Sequence, residues 1–194
     1  MDGKKHLKQT RTLLGAGLMA AVLSHGFVEG RVEHKMRKTQ LSPSGSAAPK
    51  DWLDLEQAAR VEVSSEAEGY PVEGALLKDV QREWRAREPG IQTIRLLFDH
   101  PQTIRVIRLV FKEKEFPRTQ EFVLRWLPQG TGAWKDVVRQ QWNFSPPITE
   151  TECEEYNVNL PSATALELSI RPDMSGGPTR ASLESLQLSV LPEG

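Results

Sequence analysis

The sequence predicts an all-β protein, a jelly-roll sandwich of about eight strands behind a flexible amino-terminal tail. Three observations lead there. First, several segments alternate apolar and polar residues with period two: Tyr156, Val158 and Leu160 between asparagines, Leu166, Leu168 and Ile170 around Glu167 and Ser169, and Leu186, Leu188 and Val190 around Gln187 and Ser189. That period marks strands with one buried face. Second, the separators are turn chemistry: Asp99-His100-Pro101, Glu115-Phe116-Pro117, Pro128-Gln129-Gly130, Pro146-Pro147 and Ser175-Gly176-Gly177-Pro178. They recur at spacings typical of a sandwich. Third, no long amphipathic helix falls between strands, which excludes a βαβ nucleotide fold.

The elements follow in order. Residues 1–49 read as a signal-like or disordered extension and linker, and residues 50–194 as the folded domain. Lys4, Lys5, Lys8 and Arg11 precede an apolar run, Leu13 to Leu23, and small residues Ser24 and Gly26 follow. This is the layout of a signal peptide, although Ser24-His25-Gly26 departs from the preferred small-residue cleavage pattern. The run is shorter than the roughly 20 residues a spanning helix needs. A cleaved leader implies export or a periplasmic location; an uncleaved one implies the cytoplasm. The stretch LSPSGSAAPK closes the tail as a linker.

Asp51 to Ala59 is expected to form a short helix with Asp51 as its N-cap. A first strand, Val61–Ser65, ends in two serines. A polar turn, an apolar knot (Ala75, Leu76, Leu77) and Trp84-Arg85 lead into the segments Ile91–Phe98, Thr103–Lys112 and Gln120–Leu127. These are dense in β-formers on both faces and are expected as central strands, partly covered on the second side. Trp84 and Trp126 are expected in the core.

Charge and reactive residues narrow the function. Residues 1–50 carry 9 Lys/Arg against 3 Asp/Glu, so the remaining chain has a balance of -7. An acidic body lacks the positive field that broad nucleic-acid binding requires. The one cysteine, Cys153, lies among Glu150, Glu152, Glu154 and Glu155. Those carboxylates disfavour a thiolate, so a nucleophilic role is not expected. Three of the four histidines are in the tail. The body thus has no Cys/His metal cluster, no Ser–His–Asp set and no phosphate-binding glycine loop. The sequence is expected to be a non-enzyme.

A strand ending in serines, an Asp-containing loop, a tryptophan, an I-x-I-R-L-like strand, an F-x-V strand, a Trp-containing hairpin and a final A-S-L strand occur here in order. They are Val61–Ser65, Asp79, Trp84, Ile104–Val110, Phe122–Trp126, Trp134 and Ala181–Leu188. This order resembles galactose-binding-like β-sandwich domains of the discoidin, or coagulation factor type C, group. The segment Ser64 to Ile94 is also similar to the start of such a domain in a DNA single-strand-break repair scaffold. The resemblance implies a non-catalytic binding module. It further implies a structural calcium held by Asp79 and Glu184, although Asp79-Val80 stands where that group has Asp-Gly. An Arg85–Glu184 ion pair is the alternative for an inward Glu184.

For a carbohydrate, an aromatic platform with planar polar groups is needed. The richest cluster is Arg139-Gln140-Gln141-Trp142-Asn143-Phe144, expected in or beside a loop after the strand Lys135–Val138. Its members Arg139, Gln141, Trp142 and Asn143, together with Arg85 and His100 near strand ends, are the candidate ligand-binding residues. Trp142 and Phe144 are in phase, so at least one of them is expected in the core. The expected partner is a carbohydrate bound through loops at one end of the sandwich. The alternative is a protein partner, as in the repair scaffold, met on a sheet face or edge.

Overall fold

The computed structural model describes residues 51–78, 80 and 82–190. The expected leader and linker and Asp79 lie outside the described residues. The rest is an antiparallel β-sandwich of eight strands: β1 (Ala59–Val63), β2 (Trp84–Pro89), β3 (Gln92–Lys112), β4 (Arg118–Pro128), β5 (Lys135–Phe144), β6 (Thr151–Arg171), β7 (Arg180–Leu183) and β8 (Ser185–Val190). Two single-turn helices, α1 (Leu55–Ala58) and α2 (Glu73–Leu76), precede β1 and β2. The α1 N-cap is Asp54, whose carboxylate accepts from the Glu56 amide at 3.1 Å, and not Asp51 as expected. Asp54 wins because it directly precedes the helical turn, where its oxygen reaches the orphan N–H. No helix among the described residues is long and apolar enough to cross a membrane.

The sandwich is organised by β3 and β6, each 21 residues long and each bent through both layers. In one layer β1, the first half of β3, the second half of β6, β4 and β5 pair side by side. In the other, the second half of β3 lies between β8 and the first half of β6. Pattern reading broke each long strand in two, because a bend and a turn use the same residues: Asp99-His100-Pro101 lies inside β3. The buried face of β3 changes phase accordingly. Ile94, Leu96 and Phe98 face the core before the bend, and Ile107, Leu109 and Phe111 after it. The register against β8 shifts between Ile104 and Val106, so two steps on β3 oppose one on β8. One extra residue flips every side chain beyond it to the other face.

Apolar side chains from both layers fill the interior, with Phe111 stacked on Phe122 across the gap at 5.1 Å between ring centroids. Trp84 is 0% exposed, and Trp126 is buried as expected. On the outer face of the five-stranded layer, charges alternate from strand to strand. Glu62, Arg95, Glu167 and Arg125 stand directly opposite one another on β1, β3, β6 and β4. Arg95 pairs with Glu62 at 3.1 Å and with Glu167 at 2.6 Å, and Arg125 closes on the other Glu167 oxygen. Glu167 is 4% exposed, and these two cations keep its burial tolerable.

Turns at one end of the sandwich are fixed by a polar knot. Ser65 Oγ donates to Gln92 Oε1 (2.8 Å) and accepts the amides of Arg87 (3.1 Å) and Glu88 (3.2 Å). Gln92 Oε1 also accepts Ser64 Oγ (2.5 Å), while its amide donates to the carbonyls of Glu88 (3.1 Å) and Pro89 (3.3 Å). The hydroxyl of Ser65 and the amide of Gln92 thus use their full donor and acceptor capacity. Trp84 Nε1 donates to the Ser65 carbonyl at 3.2 Å, which ties β2 to the end of β1.

A second polar seam joins β5 to the first half of β6. Gln140 Nε2 donates to Glu152 (3.2 Å) and Glu154 (3.0 Å), and Tyr156 donates its hydroxyl proton to Gln140 Oε1. Glu152 is 1% exposed, and its carboxyl is pushed from 4.5 up to about 7 by burial and by the Glu154 charge, with the Gln140 hydrogen bond opposing. The unfolded chain releases this proton at lower pH than the folded one. Folding therefore loses stability as pH rises from 4.5 to about 7, and the loss levels off above that. Accordingly, Glu152→Gln should gain about 1–3 kcal/mol relative to wild type between pH 5 and pH 8 in urea titrations. An unchanged difference between the two proteins at both pH values would show that Glu152 is already charged in the folded state.

Candidate functional site

The strands converge on one end. β1 ends there, β3 and β4 begin there, β5 ends there, and both ends of β6 lie there. Among the described residues, the turns between them carry the large apolar side chains that stay exposed: Tyr70, Ile91, Phe116, Ile148 and Met174. A strand scaffold displaying aromatic and apolar residues on clustered turns is the usual setting of a binding surface.

Arg85 on β2 lies against the first of these turns. Its guanidinium lies over the ring of Tyr70, 4.8 Å from the centroid. Its Nε and Nη2 reach Glu83 Oε1 at 2.6 and 2.5 Å. Glu83 and Arg85 are two residues apart and so project to the same side of the segment. The Tyr70 turn is held onto β2 by the backbone: Ala67 N donates to the Arg85 carbonyl (2.8 Å) and Arg85 N to the Tyr70 carbonyl (3.3 Å). Gly69 allows this turn with a φ of 79°. Burial works against the Arg85 charge. Glu83, Tyr70 and Glu115 outweigh it, and the pKa is raised.

Arg118 supports this surface from below. It is 8% exposed, its Nε stands 2.9 Å from Glu113, its Nη1 donates to the Arg180 carbonyl (3.2 Å), and it lies over Phe144. Burial lowers its pKa, and Glu113 and Asp173 act in the opposite direction. It therefore clamps the β3–β4 turn, with Glu115 and Phe116, against β5 and β7. Asp173 is held below the usual carboxylate range by the hydroxyl and amide of Ser175.

Of the residues expected from sequence, Arg85 is the one placed at this surface. The cluster Arg139–Phe144 is not a loop; it is the continuation of β5, because Lys135–Phe144 pairs with β4 throughout. Strand alternation then splits it. Phe144 is buried and Trp142 half-buried against the core, while Arg139, Gln141 and Asn143 lie exposed on the opposite face. There Arg139 and Gln141 both bond to Glu121 (3.0 and 3.1 Å), and Asn143 accepts from Thr119 (2.7 Å). Aromatic and planar polar groups of this cluster therefore do not share one cup. His100 is exposed at the β3 bend, at the end opposite Arg85.

Glu184 is half-buried between β7 and β8 and lines a cavity of about 420 Å³ together with Leu77, Lys78, Arg82 and Gln187. The expected Arg85–Glu184 pair does not form, since Arg85 is taken by Glu83. Gly74 lets the Arg82 backbone approach α2; a Cβ there would lie 2.3 Å from the Arg82 oxygen. Of the two expected calcium ligands, Asp79 lies outside the described residues, and Glu184 shares its cavity with Lys78 and Arg82. One carboxylate faces two cationic side chains, and no group of three His, Cys, Asp or Glu gathers among the described residues.

No family model and no curated protein matches the sequence. Solved structures match by shape. The family 32 CBM from Clostridium perfringens NanJ, in complex with galactose, aligns with a TM-score of 0.54 at 10% identity, covering 71% of this chain and 96% of that one. CpGH89CBM32-5 from C. perfringens, in complex with GalNAc-β-1,3-galactose, gives 0.55 at 14% identity, covering 71% and 99%. An F5/8 type C domain of a Bacteroides fragilis protein gives 0.52 at 12%, covering 73% and 97%. The fold is the galactose-binding-like sandwich. These neighbours lend nothing to the likeness between Ser64–Ile94 and a repair scaffold.

In this galactose-binding-like sandwich, sequence reasoning missed Tyr70, Glu83, Glu115 and Phe116. The available signal was the Glu-x-Arg spacing of Glu83 and Arg85 beside Trp84. Glu113→Ala should leave the buried Arg118 guanidinium without its carboxylate and cost about 3 kcal/mol in urea unfolding. A cost below about 0.5 kcal/mol, the range of an exposed pair, would show that the clamp does not hold the turn.

Proposed function

We propose that this chain is a non-catalytic carbohydrate-binding module that holds a sugar at the turn end of the sandwich, on Tyr70 and Arg85. The observation that carries this is the Arg85 guanidinium lying over the exposed Tyr70 ring with the Glu83 carboxylate beside it. A sugar has an apolar C–H face and a rim of hydroxyls. An aromatic platform takes the first, and a planar donor next to an acceptor takes the second. Phe116, 67% exposed, lies on the β3–β4 turn next to Glu115, whose charge acts on Arg85, and offers a second aromatic surface. The shape neighbours in complex with galactose and GalNAc-β-1,3-galactose support a galactose-containing ligand.

Two side-chain commitments at this site support a reading without turnover. The carboxylates Glu83 and Glu113 are committed to Arg85 and Arg118, and the described body's histidine, His100, lies at the other end.

On a glycan array the full chain should retain galactose-terminated glycans. Tyr70→Ala, folded as judged by its thermal melt, should weaken retention about tenfold or more, as expected for loss of a stacking platform. A blank array from folded wild-type protein would refute sugar binding. Unchanged retention by the Tyr70 variant would move the site elsewhere on the sandwich.

A further inference from the structure

The turn-end site also carries a charge arrangement that bears on which sugars it accepts. Three of the arginines at that end already face a carboxylate: Arg85 faces Glu83 (2.5 Å), Arg118 faces Glu113 (2.9 Å) and Arg87 faces Glu88 (3.2 Å). Glu115 adds a further negative charge that acts on Arg85, and Asp173 one that acts on Arg118. An acidic sugar, such as a uronic or sialic acid, requires a guanidinium free to meet its carboxylate. A neutral sugar needs donors and acceptors without a net charge.

We propose that Glu83 is the specificity-determining residue of this site, occupying the Arg85 guanidinium so that the site selects neutral sugars and rejects acidic ones. The inference rests on the sugar-binding reading above. Both Arg85 contacts fall on the same oxygen, Oε1 of Glu83. The remaining guanidinium N–H groups donate to one sugar hydroxyl while Glu83 Oε2 accepts from its neighbour. A carboxylate brought to the same place meets Glu83 at close range, and like charges a few ångströms apart at a protein surface repel strongly enough to decide a tenfold preference. Attraction to Arg85 does not offset this, because Glu83 has already neutralised it.

The matched probes are methyl galactoside and methyl galacturonoside, which differ at C6 in a hydroxymethyl against a carboxylate. Titrated calorimetrically into the full chain, the neutral glycoside should bind about tenfold or more tightly than the acidic one. Glu83→Gln keeps the shape and the acceptor oxygen but removes the charge. It should shrink that ratio about tenfold or invert it, chiefly by improving the acidic ligand. In the wild-type protein, raising ionic strength should tighten galacturonoside binding and leave galactoside binding unchanged, since screening weakens repulsion; this arm needs no variant. Equal wild-type affinities, or a ratio unmoved in both Glu83→Gln and high salt, would overturn the role of Glu83 while leaving sugar binding intact. Binding of neither glycoside would overturn both.

Discussion

The turn end, where binding is proposed, depends on the knot of Ser65 and Gln92. Strand β2 is short and pairs only with the four-residue β7. Left to that ladder alone, the side chains at its start would have no fixed relation to the main sheet. Ser65 supplies that relation by accepting two β2 amides and donating to Gln92, while its carbonyl holds the Trp84 indole. Trp84 in turn fills the core. A hydroxyl and an amide with no spare capacity cannot slip to another register without leaving a buried polar group unpaired. The position of Arg85, one residue after Trp84, is inherited from that constraint, and the Tyr70 turn is bonded to Arg85 by its backbone.

Two kinds of polar interaction divide the molecule. On the outer sheet face, the opposed row from Glu62 to Arg125 pairs its charges with one another across four strands. At the turn end, pairing is local and leaves donors, acceptors and aromatic surface facing solvent. The same residue types, arginine and glutamate, thus serve cohesion in one place and, in the proposed function, recognition in the other. What separates them is the depth of the carboxylate: Glu167 is buried between two cations, whereas Glu83 is half-buried with one.

Much of the fold was legible in the sequence, because period-two alternation reports directly which face of a strand is buried. Leu166, Leu168, Ile170, Leu186 and Leu188 face the core as that pattern says, although Glu167 and Ser189 are buried as well, and Trp84 and Trp126 enter the core. The long strands β3 and β6 were not legible, since a bend that carries a strand from one layer to the other uses the residues of a turn. The placement of the β5 cluster in a loop was not borne out for a related reason. Arg139 to Phe144 is contiguous in sequence, but a strand sends neighbours to opposite faces, so sequence proximity there is spatial separation. The Tyr70–Glu83–Arg85–Phe116 surface had the opposite problem. Its members come from three segments, and only the folded knot brings them together; Arg85 alone was visible, as a cation near a strand end.

The central claim is that the sugar sits on the Tyr70–Arg85 surface and not elsewhere on the sandwich. Mapping of amide chemical shifts in the isotope-labelled full chain, on addition of methyl galactoside, tests it most directly. The account predicts perturbations concentrated in residues 66–70, 83–87 and 113–118. Perturbations centred on the Leu77–Gln187 cavity, or on the exposed β5 face at Arg139, Gln141 and Asn143, would contradict it.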